Sequence, residues 1–160
     1  MKVLIIYASN NDTTKICSDF LAEKLPEATV ANLKKEKPDP NLYDTIVIGS
    51  CIRFNLVHNN VLTYVKENMD TLMKKNTAVF LCCGFPEKTN QYLLHNFPKS
   101  FLDKCFSIKC FGGRIKVKTH RIHEQLLIKT VQKGFKDAGR ELTEIDYDSI
   151  NEMAEEIRSI

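Results

Sequence analysis

The chain has 160 residues, of which 43% are hydrophobic and 27% charged, so it can bury a core and is neither disordered nor fibrous. No apolar run approaches the roughly 18 residues that a membrane-spanning helix needs, and the apolar start is too short for a signal peptide. The formal net charge of +3 excludes a uniformly basic nucleic-acid-binding protein, so no nucleic-acid partner is expected. A chain of this length predicts one domain over residues 1–160.

Apolar segments rich in β-branched residues alternate along the chain with segments of helical hydrophobic spacing. In chain order, buried strands are predicted at residues 2–7, 29–33, 45–49, 78–83 and 105–111. Helices are predicted at 14–25, 61–73 and 90–97, and apolar residues mark two more within 122–135 and 145–157. Strands that are apolar on both faces and alternate with helices are typical of a doubly wound α/β sheet with helices on both faces.

In such sheets, ligands bind outside the carboxyl ends of the strands, which directs attention to residues 8–14, 50–60 and 83–90. The first of these loops is rich in hydroxyl and amide side chains and precedes a predicted helix N-terminus. That combination suits a phosphate, although the same residue types are also preferred helix caps. The loop lacks the GxGxxG and GxxxxGK[ST] patterns of dinucleotide and P-loop sites.

Six cysteines are spread along the chain without a CxxC pair, and most of them lie in apolar segments. This pattern is typical of free, buried thiols in a reduced cytoplasmic protein and lacks the paired spacing of a zinc site. Cys82 and Cys83 are adjacent, and adjacent cysteines rarely bridge without strain, so packing is favoured over a redox pair. Acidic residues before the last predicted helix are expected to cap it, and no metal site is predicted.

The first loop resembles the phosphate loop of the flavodoxin family, which reads S/T-x-T-G-x-T after the first strand. Ser9-x-Asn11-Asp12-Thr13-Thr14 fits this frame, with Asn11 in place of a hydroxyl residue and Asp12 in place of glycine. Because a carboxylate would repel phosphate, the Asp12 side chain is expected to face solvent.

The segment from Gly49 through Ile52-Arg53-Phe54 to His58 is similar to the flavodoxin-like, menaquinone-dependent protoporphyrinogen oxidases. The resemblance implies one bound FMN and the strand order 2-1-3-4-5. The FMN phosphate is then expected on the first loop, namely on Ser9, Asn10, Asn11, Asp12, Thr13 and Thr14. The flavin ring is expected against Phe54 and Phe85, with its polar edge on backbone groups of Ser50, Cys51, Ile52, Arg53, Cys83 and Gly84.

Two residues of this segment are candidates for catalytic roles. Arg53 would stabilise an anionic reduced flavin, and the alternative is a surface ion pair. His58 stands at the start of a predicted helix, where a capping or surface role is the alternative.

Three functions fit these features. The first is an FMN oxidoreductase that moves hydrogen from a substrate to a quinone, as the resemblance implies. The second is an electron-carrier flavodoxin that docks on redox protein partners, and the third is a non-catalytic FMN-binding module. Electron carriers of this family are usually strongly acidic, so a positive net charge favours the enzyme.

Residues 101–140 hold ten Lys and Arg against three Asp and Glu, whereas the last twenty residues hold seven acids and one arginine. Within this basic stretch, residues 116–136 are predicted to form an amphipathic helix whose basic side suits an anionic membrane, where a quinone would be met. The alternative is ordinary packing of its apolar face on the domain. A cytoplasmic protein with peripheral membrane contact is therefore expected.

Overall fold

The fold is built on six β-strands in the part of the chain that the structure, a computed structural model, describes: residues 1–10, 12–113, 129–130, 133 and 144–160. They are β1 (Val3–Ala8), β2 (Ala28–Asn32), β3 (Thr45–Arg53), β4 (Leu56–Val57), β5 (Asn76–Cys82) and β6 (Ser107–Cys110). Five strands are parallel in the order β2-β1-β3-β5-β6, and the short β4 pairs antiparallel with β3. Without β4 this is the order 2-1-3-4-5, so the predicted sheet is confirmed.

Helices follow most strands and cover both faces of the sheet. They are α1 (Thr13–Glu23), α2 (Asn59–Glu67), α3 (Met69–Leu72), α4 (Thr89–Asn96), α5 (Lys99–Lys104) and α6 (Tyr147–Arg158). The single helix predicted over 61–73 is wrong, because Asn68 leaves the helical region at φ −113° and ψ 14°. Its side-chain amide donates to the Tyr64 carbonyl at 2.9 Å and ends α2 there. The helix predicted within 122–135 lies outside the described residues, apart from Lys129, Thr130 and Lys133.

Successive strand residues point to opposite faces, and each face has its own core. On one face, buried strand residues pack beneath α2, α4 and α5; they include Leu4, Ile6, Ile46, Ile48, Val79 and Leu81. On the other, α1 and α6 cover a second set that includes Val3, Ile5, Val47, Ala78 and Phe80. The continuous apolar strands of the sequence therefore supply both cores at once.

Gly49 occupies a position in β3 where the sheet has no room for a side chain. The ring of Phe80, from the neighbouring strand β5, stacks on Phe111 with centroids 4.4 Å apart. A Cβ on Gly49 would lie 2.2 Å from Cζ of Phe80. The glycine of the Gly49–His58 segment is therefore required by packing.

The chain leaves the sheet and returns to it at one place. Gly112, with φ +66°, forms a β-bridge with Ile145, and the Asp146 N–H donates to the Phe111 carbonyl at 3.0 Å. Asp146 then caps α6, because its carboxylate accepts from the Ser149 N–H at 3.0 Å and the Ser149 hydroxyl at 2.8 Å. These hydrogen bonds lower the pKa of Asp146, so this acid has the capping role expected from the sequence.

Candidate functional site

Three loops meet at the carboxyl edge of the sheet. Ala8 at the end of β1 is paired with Ser50 in β3, and Cys51 in β3 is paired with Cys82 at the end of β5. The segments that follow these strand ends therefore lie side by side, as the fold rule predicts. The cofactor contacts expected within them remain predictions.

The first loop places small polar residues against the start of α1. Ser9, Thr13 and Thr14 are buried, whereas Asn10 and Asp12 are exposed; Asn11 lies outside the described residues. Asp12 has φ −79°, a region open to every residue, so glycine's freedom at positive φ is not needed there. The exposed position of Asp12 keeps its carboxylate in solvent.

Thr14 carries the observation that fits this loop to a phosphate. Its side chain is fully buried, and its hydroxyl makes no hydrogen bond of ordinary geometry within the described residues. Its polar neighbour is the Cys82 thiol, which is a weak hydrogen-bonding group. An unmatched buried hydroxyl costs about 1–3 kcal/mol, and an anion at the α1 N-terminus would provide its partner.

Lys34 is a residue of this edge that the sequence did not single out. Its ammonium lies 3.5 Å from the Ser9 carbonyl, although Lys34 follows β2 and is 25 positions away in the chain. Its positive charge also acts on His58 in the second loop. Lys34 therefore connects the first two loops electrostatically.

The second loop is a β-hairpin rather than the irregular segment expected after residue 49. β3 continues to Arg53 and pairs with β4, with Arg53 opposite Leu56. Phe54 and Asn55 both have positive φ, at 51° and 65°, as in a type I′ turn. Asn96 holds the hairpin by donating to the Asn55 carbonyl at 2.9 Å and accepting from the Val57 N–H at 3.0 Å.

This hairpin presents Phe54 to solvent, with 67% of its surface exposed. The Arg53 guanidinium carbon lies 5.6 Å from the centroid of the Phe54 ring. An aromatic ring held on a fixed turn and accompanied by a cation provides an apolar wall for a planar ligand.

Two hydrogen bonds within the protein fix the position of His58. Its backbone N–H donates to the Ser50 hydroxyl at 3.0 Å, and its Nδ1 accepts from the Asn60 N–H at 3.2 Å, which caps α2. Partial burial lowers the pKa of His58, and the charge of Lys34 lowers it further. In the neutral ring Nδ1 is the acceptor, so Nε2 carries the proton and is a hydrogen-bond donor.

The His58 cap predicts a dependence of stability on pH. The pKa of His58 is lower in the folded chain than its value near 6.5 in the unfolded chain. At a pH between these two values the unfolded chain binds more protons than the folded chain. The free energy of unfolding therefore falls as the pH falls through this range. His58→Asn keeps a capping acceptor without titrating. Chemical denaturation from about pH 8 to about pH 5.5 should therefore show a smaller loss of stability for His58→Asn than for the wild type. Parallel curves would contradict this role.

The third loop begins beside β6. The Cys83 N–H donates to the Gly112 carbonyl at 2.9 Å, so it is already paired and the Gly84 backbone is the more accessible part for a ring edge. Phe85 is half-buried, and the Lys88 ammonium lies 5.2 Å from its ring centroid. Phe54 and Phe85 thus stand on two neighbouring loops of one edge.

A family model described as a flavodoxin domain matches residues 4–141. The chain belongs to the flavodoxin family. This membership agrees with the strand order, and it supports FMN as the cofactor expected from the sequence. It also supports a flavodoxin-like oxidoreductase as the broad class of this protein.

Protoporphyrinogen IX dehydrogenase (quinone) of Escherichia coli K12 is 27% identical to this chain over 98% of the chain and 94% of the relative. Among solved structures, oxidised flavodoxin 1 of Bacillus cereus has a TM-score of 0.50 at 16% identity, covering 86% of this chain and 98% of its own. Rubredoxin oxygen:oxidoreductase of Desulfovibrio gigas has a TM-score of 0.53 at 20% identity. The match covers 85% of this chain and 36% of that longer chain. These structures show the shared fold.

Two further findings apply to the described residues of this chain. None of their helices is long and apolar enough to cross a membrane. No three His, Cys, Asp or Glu side chains gather there as a metal site would require. The predicted contact of residues 116–136 with a membrane lies largely outside the described residues and stays a prediction.

Proposed function

We propose that this chain binds one FMN at the three-loop edge and acts as an oxidoreductase that moves hydrogen from a small-molecule substrate to a quinone. Protoporphyrinogen is the substrate to test first, because the E. coli relative that covers almost the whole chain bears that activity in its name. When bound, FMN supplies the transfer of electrons and hydrogen. The protein then has to bind and orient the flavin and shape the substrate entrance.

The buried Thr14 hydroxyl is the single observation that carries the cofactor assignment. It lies at the N-terminal turn of α1, where backbone N–H groups and the positive helix end favour an anion. Lys34 adds positive charge at the Ser9 side of this loop. The FMN phosphate would be held by these groups, with the exposed Asp12 carboxylate kept away from it.

The hairpin supports the remainder of the proposal. Phe54 would cover one face of the ring, and Arg53 would bring positive charge to its reduced, anionic form. His58 would donate a hydrogen bond from Nε2 rather than accept a proton, since its pKa is lowered and its Nδ1 is engaged. Flavin or substrate oxygen atoms are suitable acceptors for that donor.

A second candidate function is electron transfer to a protein partner. It is favoured by the apolar surface of the hairpin, where Phe54 and Leu56 are 67% and 51% exposed. Exposed apolar side chains of this kind also mark protein interaction sites.

One experiment separates these functions. The purified full-length chain is supplied with FMN, its flavin absorption spectrum is recorded, and anaerobic protoporphyrinogen oxidation is followed with and without menadione. We expect bound FMN and oxidation that depends on menadione. Bound FMN without quinone-dependent oxidation would favour the electron carrier, and failure to bind FMN would overturn both assignments.

Arg53 should tune the flavin without holding the fold. Arg53→Ala loses a cation–π contact with the exposed Phe54 ring, worth about 0.5–1 kcal/mol, so the melting temperature should change little. Turnover should slow by about tenfold, equivalent to about 1.4 kcal/mol of lost stabilisation of negative charge. Lys99→Ala is a matched control, since Lys99 is an exposed cation on α5 paired with Asp103. A large loss of stability with unchanged turnover in Arg53→Ala would instead make Arg53 a structural residue.

A further inference from the structure

Two cysteines meet beneath the third loop. Cys83 follows β5 directly, Cys110 ends β6, and their Sγ atoms lie 3.4 Å apart. Both belong to the sheet face covered by α2, α4 and α5. All six cysteines are free thiols, as expected from the sequence, but the close neighbour of Cys83 is Cys110 and not the adjacent Cys82.

The strands hold this pair in place from both sides. Leu81 in β5 is paired with Cys110, and two residues later the Cys83 N–H donates to the Gly112 carbonyl. A disulfide has an S–S distance of about 2.05 Å, so the two sulfur atoms need to approach by roughly 1.3 Å to form one. β5 and β6 are hydrogen-bonded neighbours in the sheet, so the two cysteines are held close together in the folded chain.

The two thiols differ in access and in acidity. Cys110 is partly exposed, whereas Cys83 is buried. The Cys83 thiol donates a hydrogen bond to Cys110, and the Thr89 hydroxyl and nearby backbone N–H groups donate to it as well. Together these hydrogen bonds lower the pKa of Cys110 to about 6. The same interaction and burial raise the pKa of Cys83, which therefore keeps its proton. Cys110 is thus the accessible thiolate and Cys83 the protonated partner.

We propose that Cys83 and Cys110 form a reversible dithiol–disulfide site that reacts with hydrogen peroxide. The Cys110 thiolate attacks one peroxide oxygen, the O–O bond breaks, and hydroxide leaves and takes a proton to become water. The Cys83 sulfur then attacks the sulfur of the Cys110 sulfenic acid, the S–O bond breaks, and the Cys83 proton leaves with the hydroxyl as a second water. Two thiols lose two electrons, and one peroxide is reduced to two waters.

This site goes beyond the proposed function, because the reaction needs neither FMN nor a substrate. Its product ties the end of β6 to the start of the third loop, next to Gly84 and Phe85. Reduction by a dithiol reagent reverses the cross-link, since thiol–disulfide exchange regenerates both thiols.

Two other cysteine sites of the chain serve as controls for the reactivity of the Cys83–Cys110 pair. Cys105 is partly exposed like Cys110, but burial raises its pKa to about 12, and its thiol donates to the Phe101 carbonyl at 3.3 Å. On the opposite face, Cys82 interacts with Cys17; both are buried, and this interaction together with burial raises the pKa of Cys82. Neither site combines access, a thiolate and a close partner.

The test treats the folded full-length chain, as purified, with a small excess of hydrogen peroxide. Free thiols are counted, and the chain is then alkylated and digested with trypsin. We expect the loss of two thiols, their return with dithiothreitol, and a cross-link between the peptides of residues 76–88 and 110–114. Cys110→Ser and Cys83→Ala should abolish the link, whereas Cys82→Ala and Cys105→Ser should retain it.

Alkylation rates give a second measurement that does not depend on the variants' stability. In the wild type at pH 7, Cys110 should react with iodoacetamide more than about tenfold faster than Cys105, since the thiolate is the nucleophile. Equal rates, a link that survives Cys83→Ala, or no link between these peptides after oxidation of the folded chain would each overturn the proposal.

Discussion

Gly49→Ala should lower the free energy of unfolding by about 3 kcal/mol, at the upper end of the usual cost of overpacking a core. The new Cβ would fall 2.2 Å from Cζ of Phe80, a ring that is fully buried and stacked on Phe111. Neither ring can turn away without opening the core beneath α1 and α6. Urea denaturation of the chain without added flavin measures the change.

A second substitution tests the cause. Phe80→Leu should destabilise the wild type, but the combination with Gly49→Ala should cost clearly less than the sum, because the smaller side chain makes room for the methyl group. Gly113→Ala is the matched control, since its Cβ would approach the backbone of Cys83 no closer than 3.4 Å, an ordinary contact. Additive costs, or equal costs at Gly49 and Gly113, would mean that Phe80 is not the obstacle.

Thr14→Val should change stability and flavin affinity in opposite directions. Without FMN, valine keeps the shape and removes a buried hydroxyl whose polar neighbour is only the weakly hydrogen-bonding Cys82 thiol, so the free energy of unfolding should rise by about 1 kcal/mol. With FMN, the same hydroxyl is lost as a donor to a charged group, worth about 1.5–3 kcal/mol, so affinity should fall at least about tenfold. Flavin fluorescence titration and denaturation without FMN measure the two effects.

Ser18→Ala provides the comparison for Thr14→Val. The Ser18 hydroxyl is buried one helical turn further along α1 and already donates to the Thr14 carbonyl at 2.8 Å. Its removal should leave FMN affinity unchanged. Wild-type affinity in Thr14→Val would place the phosphate elsewhere, and a loss of stability without FMN would show that the hydroxyl has a partner within the protein.

The sheet could be predicted from the sequence because its central strands β1, β3 and β5 are buried on both faces and appear as apolar runs. The strand order followed from the family resemblance, and the carboxyl-edge loops followed from the general rule for such sheets. The break between α2 and α3 was missed, because the apolar spacing continues past Asn68 while its side chain ends the backbone pattern. Periodicity reports the buried face of a helix and not the hydrogen bonds that end it.

The remaining features of the site depend on contacts between distant residues. The Phe54-Asn55 turn lacks the Asn-Gly or Asp-Gly signature of a hairpin and is held by Asn96, 41 positions away from Asn55. Lys34 reaches the first loop from the end of another strand. Cys83 and Cys110 are 27 positions apart and meet only because β5 and β6 are neighbours. These side chains are brought together by strand pairing or by long-range hydrogen bonds, which no local sequence pattern encodes.

The bridge between Gly112 and Ile145 also bears on the cost of the long connection between β6 and α6. Because the outgoing and returning chains are hydrogen-bonded to each other, the end of β6 and the start of α6 are held together by contacts that do not involve the connection between them. Doubling such a connection costs only about 0.6 kcal/mol of closure entropy. A change in the length of this connection therefore leaves the carboxyl edge of the sheet, where the three loops meet, in place.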